Sequence, residues 1–232
     1  MTKFSKYERL ISVGAIAGFI LSGPVAFILV RLVKPQPPWA SPAVFVEHYH
    51  AVQDVPYYFG FLLISGMLMI STCFYLNSKN NNAKGKLMLL LGLGFSFVFS
   101  GLISFNYICQ TTFIRNLALS YHSEYDSAIS TFSMANTLSL SWAIEMWGYA
   151  FLGLSTALSA TYYKNRNNFI SVLMVLNGIV SIASAILTVV DANWVMTSAG
   201  LVGYFGWNVL MILMMWLIYR DAVTTQQQPL LK

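Results

Sequence analysis

Apolar residues in this chain fall into six long runs, separated by short polar stretches that hold most of the charge. The first runs from Leu10 to Val30 and makes a span over 10–33; the others cover 57–76, 87–109, 138–161, 169–190 and 194–219. Each has about 20 residues or more, and at about 1.5 Å per residue that length crosses a hydrocarbon layer roughly 30 Å thick. Helix is the form such runs must take, because lipid offers no partner to backbone N–H and C=O groups. NSKNNNAKG at 77–85 and KNRNN at 164–168 read as turns. Only Asp191, Ala192 and Asn193 separate the last two spans, which makes those helices antiparallel neighbours. Five of the seven prolines lie within 34–56, so this stretch is expected to be an ordered loop. The third helix is expected to continue through Gln110 and Arg115 and break near Ser120. Asp126 is placed to cap a Ser/Thr-rich, half-exposed start of the fourth helix, which enters the membrane near Leu138. Residues 220–232 read as a flexible polar tail.

These runs predict an all-α fold: a single polytopic membrane domain over 1–232, built as a six-transmembrane-helix bundle. Composition agrees, with 57% hydrophobic and 9% charged residues against about 25% charged in a soluble domain. Mean hydropathy is +0.63. The net charge of +5 changes the picture only through its placement. Ten of the 13 Lys and Arg residues fall on the side of both termini, and only Arg31, Lys34 and Arg115 on the other. That asymmetry predicts cytoplasmic termini and a multi-pass protein of the plasma membrane, and it argues against nucleic acid as a partner. Cys73 and Cys109 belong at opposite ends of their spans, too far apart for a bridge.

Candidate chemistry lies in two places. The predicted orientation puts His48, His50 and His122 on the extracytoplasmic face with several carboxylates, a combination that can hold a divalent metal. The plainer alternative is solvated loop residues. Inside the bundle, Glu145 sits among aromatics in the fourth span, where an ionisable group is costly unless paired, hydrated or protonated. Asn177, Ser181, Ser184, Thr188 and Asp191 recur at helical spacing on the fifth span. Ser96, Ser100, Ser104, Asn106 and Gln110 lie on the third, and Tyr204 and Asn208 one turn apart on the sixth. Converging, these faces would form an outward-open polar pocket centred on Glu145 and lined by Asn106, Gln110, Asn177, Asp191 and Asn208, with Arg115 as counter-charge to Glu145 or Asp191. The alternative is a hydrogen-bond network that only fixes packing. Gly14 and Gly18 form a GxxxG that would admit a partner helix, from a second copy or another subunit.

No lysine or histidine lies deep in a span, which argues against a Schiff base, a haem held between helices and rhomboid-type proteolysis. Walker A, HExxH, CxxC and paired NPA patterns are missing as well. The segments Gln110-Thr111-Thr112-Phe113-Ile114-Arg115 and Ala143 to Leu154 around Glu145 resemble a set of uncharacterised six-helix bacterial integral membrane proteins. The resemblance covers the middle third of the chain. It implies the six-helix architecture and a bacterial inner membrane, and brings no substrate, cofactor or catalytic residue. The expectation is therefore a protein that binds or transports a small polar or amphiphilic ligand through the Glu145 pocket, rather than an enzyme. The alternatives are a metal-dependent enzyme working through the outer histidines and an accessory subunit of a membrane complex.

Overall fold

A computed structural model describes residues 5–78 and 82–227, and among these the chain is helical, with no strands. Lys3, Lys79 and Lys232, which carry part of the charge asymmetry, lie outside the described residues. The first long helix is made of α1 (Ser5–Ile20), a π-helical turn (Leu21–Val25) and α2 (Ala26–Val33). A short α3 (Pro42–Glu47) interrupts the Pro-rich stretch, and a 3-10 turn (Ala51–Asp54) leads into α4 (Val55–Leu76). Next come α5 (Ala83–Ile108), a second π turn (Cys109–Ile114) and α6 (Arg115–Leu119), all one continuous rod. The short α7 (Asp126–Phe132) precedes α8 (Leu140–Ser159), α9 (Asn168–Val190) and α10 (Ser198–Gln227).

Local chemistry sets these boundaries. Asn82 Oδ1 accepts from Gly85 N at 2.8 Å and starts α5. Ser139 Oγ accepts from Trp142 N at 3.0 Å and starts α8, and Asn167 Oδ1 accepts from Phe169 N at 3.2 Å to start α9. Three expectations are corrected here. The fourth helix is not continuous from Asp126: Asn136 and Ser139 take the backbone out of helix over 133–139. Asp126 caps nothing and instead accepts from Tyr121 OH at 2.8 Å. The last helix starts at Ser198 and runs on to Gln227, into the stretch expected to be a flexible tail, and 228–232 lie outside the described residues.

The six long helical elements pack in chain order into a closed ring, α1–α4–α5–α8–α9–α10 and back to α1. Inside it, Leu63, Met67, Phe99, Ile103, Leu152 and Met174 are almost wholly buried. Close crossings depend on small residues. Gly153 of α8 faces Gly178 of α9, where an added Cβ on Gly178 would lie 2.8 Å from Gly153 O. Gly18 lets α1 rest on the backbone of α4 at Leu62 and Leu63, so its space is filled within the chain, whereas Gly14 has nothing within 4 Å of an added Cβ. The GxxxG pair is thus divided between an internal contact and an open one.

Among the described residues, five helical stretches are long and apolar enough to cross a membrane: Arg9–Val33, Ala51–Leu76, Ala83–Leu119, Asn168–Val190 and Ser198–Val223. α8 is the long helix outside that set. Its sequence is diluted by Ser141, Glu145, Ser155, Thr156 and Ser159, all of them buried between its neighbours. Helices that face protein on most sides need less apolar surface than those that face lipid. At the end of the ring bearing residues 34–56 and 120–139, a smaller cluster of Phe45, Ile114, Ala118 and Ile129 anchors the loops. At the opposite end, Ser12 of α1, Phe74 of α4 and Ala222 of α10 border one small cavity of about 70 Å³.

Candidate ligand cavity and the Glu145 cluster

Two pairs of residues one helical turn apart face each other across the α5–α8 contact: Asn106 and Gln110 on one side, Ser141 and Glu145 on the other. Glu145 Oε2 accepts from Asn106 Nδ2 at 2.9 Å, and Oε1 accepts from Tyr107 OH at 3.0 Å. Asn106 Nδ2 also donates to Ser141 O at 3.1 Å. Each carboxylate oxygen therefore has a donor from consecutive residues of α5. Paired donors of this kind offset the cost of burying an acid with no cation beside it.

Gln110 works one turn above as a clamp. Its Nε2 donates to Phe132 O at 2.8 Å and to Ser141 Oγ at 3.2 Å, while its Oε1 accepts from Met134 N at 3.0 Å. The non-helical stretch before α8 is held by an amide that imitates a strand partner. Gln110 lies within the π turn, which inserts one residue and rotates the remainder of the rod by about 100° relative to a plain helix. Ile114 and Ala118 then face the loop cluster, and Arg115 reaches the loops.

Below the acid the contacts continue as an aromatic chain. Tyr107 and Tyr149 hydroxyls are 3.2 Å apart, and Tyr149 packs edge-on to Trp207 at 5.3 Å between ring centres. Trp207 Nε1 donates to Asn177 Oδ1 at 2.9 Å, and Asn177 Nδ2 donates to Thr156 Oγ1 at 2.8 Å. A separate hydroxyl triad, Ser71–Ser96–Ser155, joins α4, α5 and α8 at 2.8 to 3.4 Å.

Of the expected pocket residues, Glu145, Asn106 and Gln110 come together, and Asn177 joins them through Trp207 and Tyr149. Asn208 lies apart, donating to Tyr204 O at 2.8 Å, with its buried Oδ1 unpartnered near Gly23 of the first π turn. Arg115 and Asp191 are not part of the cluster. Arg115 Nη1 pairs with Asp54 Oδ2 at 2.6 Å, so it balances neither Glu145 nor Asp191. Asp191 is exposed and accepts from Asn193 N at 2.9 Å in the α9–α10 turn. The fifth-span stripe divides accordingly. Ser181 packs on Gly153, whereas Ser184 O and Thr188 Oγ1 accept from Trp194 Nε1 at 3.0 and 2.9 Å.

The histidines do not assemble. His48 Nδ1 lies 2.9 Å from Val44 O, His50 Nδ1 accepts from Val52 N at 3.1 Å, and His122 packs its ring against Tyr125. Among the described residues no group of three or more His, Cys, Asp and Glu could hold a metal. His48 and His50 each engage a neighbouring backbone group through Nδ1.

A cavity of about 1000 Å³ lies at the loop-bearing end. Its walls combine Trp39, Phe27 and Phe45 with Asp54, Gln110 and Asn136. Asp54 is buried there, held by Arg115 and by Tyr49 OH, which donates to it at 2.7 Å. Burial and the adjacent Asp54 carboxylate push the Tyr49 phenol well above its ordinary pKa, so it stays a donor. Glu145 does not line this space. It lies behind Gln110 and Tyr57, whose ring is 5.2 Å from that of Tyr107.

Sequence reasoning missed Tyr107, Tyr149, Tyr49 and the role of Asp54. Tyr149 stands four residues after Glu145 and Tyr107 directly beside Asn106, a spacing signal that is present but hidden by the many tyrosines. No family model, curated protein or solved structure matches the chain.

Proposed function

We propose that this is a six-span protein of a bacterial-type plasma membrane, both chain ends cytoplasmic, that binds a small polar or amphiphilic ligand in the loop-end cavity. The observation that carries the reading is the cavity itself: about 1000 Å³, with aromatic and aliphatic walls interspersed with polar side chains that could orient a ligand. In this reading the Glu145 cluster is the floor rather than the contact surface. It holds α5 and α8 in register, so that Gln110 faces the cavity and fixes 132–134 at its wall.

Binding is favoured over passage. Between this cavity and the one of about 70 Å³ at the opposite end lies packed core, including Phe19, Leu63, Met67 and Met211.

Thermal unfolding of the purified protein against a panel of polyols, amines, carboxylates and amphiphiles tests the function. A ligand at 100 times its Kd stabilises the folded state by about 2.7 kcal/mol. The expected result is a concentration-dependent rise in Tm that Ala135→Trp, which fills the cavity from its wall, abolishes. A panel with no effect on the wild type, or effects equal in the filled variant, overturns it.

A further inference from the structure

Charge is distributed unevenly on the wall of the loop-end cavity. Among the described residues that border it, Arg31 and Asp54 are the two with a formal charge. The Asp54 carboxylate is buried and already answered, by Arg115 Nη1 at 2.6 Å and by the Tyr49 hydroxyl at 2.7 Å. Arg31 has no such partner. It is exposed, it makes no ion pair or hydrogen bond with the described residues, and its guanidinium lies over the Phe27 ring, 5.6 Å from the centre. Asp54 and Arg115 cancel, and the positive charge of Arg31 is left over.

An arginine near the end of a membrane helix commonly reaches along its apolar surface to the interface, with no ligand involved. The spacing on α2 argues against that for Arg31. Ala26 and Val30, and beside them Phe27 and Arg31, stand one turn apart and all border the cavity, so they form one face of the helix. Ile28, Leu29, Leu32 and Val33 are exposed and do not border it, which makes theirs the face left for lipid. Arg31 therefore belongs to the cavity stripe. Its guanidinium carries five N–H donors in a planar fork, a geometry that suits the two oxygens of a carboxylate.

We propose that the cavity takes an organic monocarboxylate, with its two oxygens on the Arg31 guanidinium and its apolar body against walls that include Trp39, Phe45 and Leu138. This rests on the binding function proposed for the cavity and adds the charge of the ligand and the residue that selects it. One negative charge balances the surplus on the wall. A second would enter without a counter-charge, and a cation would meet Arg31 with Asp54 already paired; either carries a desolvation cost that nothing returns. A soluble acid and a fatty acid share this chemistry, and the test separates them.

The test titrates the full-length protein, in phosphatidylcholine nanodiscs, with phenylbutyrate and with laurate, each beside its own amide, and reads affinity by calorimetry. In at least one pair the acid is expected to bind about tenfold tighter than the amide, the scale of a charge-assisted hydrogen bond at an exposed site. Preference for phenylbutyrate makes the ligand a soluble acid, and preference for laurate makes it one drawn from the bilayer. Arg31→Gln should lower the affinity for the acid by a similar factor and leave that for the amide unchanged, which also shows that the variant is folded. Arg31→Lys, which keeps the charge and loses the fork, should fall between. Lys34→Gln removes a nearby cation that does not border the cavity and should change nothing. Acid and amide binding equally in both pairs overturns the proposal, as does acid affinity that is unchanged in Arg31→Gln or lost equally in Lys34→Gln. Acid binding that survives Ala135→Trp lies outside the cavity and overturns it too. If the acids fail in these ways but a polyol or an amine raises the Tm of wild type and not of Ala135→Trp, the carboxylate falls and the binding function stands. If no compound binds, both fall.

Discussion

At Glu145 the two carboxylate oxygens meet two different donors, and the difference decides which substitutions the site tolerates. Tyr107 OH can turn toward Tyr149 and accept from a new neighbour, whereas Asn106 Nδ2 can only donate. Glu145→Gln is therefore expected to fold with its oxygen toward Asn106 and its nitrogen toward Tyr107, losing about 1 kcal/mol or less. Glu145→Leu strands both partners and should cost about 3 kcal/mol. Chemical unfolding of the three proteins checks the order, and equal losses would remove the asymmetry argument. Asp54 tests a second point. Its partners Arg115 and Tyr49 come from distant parts of the chain, so Asp54→Asn with Arg115→Met should destabilise less than the sum of the single changes. A double-mutant cycle with additive losses contradicts it. The raised Tyr49 pKa also has a sign: a phenol pKa higher in the folded than in the unfolded state contributes stability below the ordinary value near 10 and loses it as pH rises through the folded value. Tyr49→Phe should accordingly narrow the gap in stability from wild type as pH climbs above 10, measured by unfolding midpoints across alkaline pH.

Element by element, the close crossings set what can change. Gly178→Leu pushes against the α8 backbone and separates Asn177 from Thr156, so a loss of about 3 kcal/mol is expected from overpacking. Within the GxxxG, Gly18→Leu should unseat α1 from α4, whereas Gly14→Leu should fold as wild type. Size-exclusion profiles and Tm values of the pair decide this, and equal damage from both would place Gly14 in an interface.

For the whole molecule, the charge asymmetry and the ring make one prediction about sidedness. In a background with Cys73 and Cys109 replaced, a cysteine at the exposed Ser123 should react with a membrane-impermeant maleimide on intact cells. One at the exposed Lys164 should react only after permeabilisation. The reverse pattern inverts the orientation, and equal reactivity on intact cells removes the sixth crossing.

Sequence by itself determined the long apolar helices and several of their ends, because backbone satisfaction in lipid leaves one choice and because Asn82, Ser139 and Asn167 are local caps. It also singled out Glu145, Asn106 and Gln110, since polar residues on apolar helices turn inward and their spacing is visible in the chain. Tertiary structure alone decided the partners. Arg115 answers Asp54 because a π turn re-aims it, a one-residue change of register with no mark in composition. The Nδ1 atoms of His48 and His50 meet backbone groups that only turn geometry brings near. The cavity lies where the π turn around Pro24 separates α1 from α2, and its walls join residues of α2, α10 and the loops that are far apart in the chain.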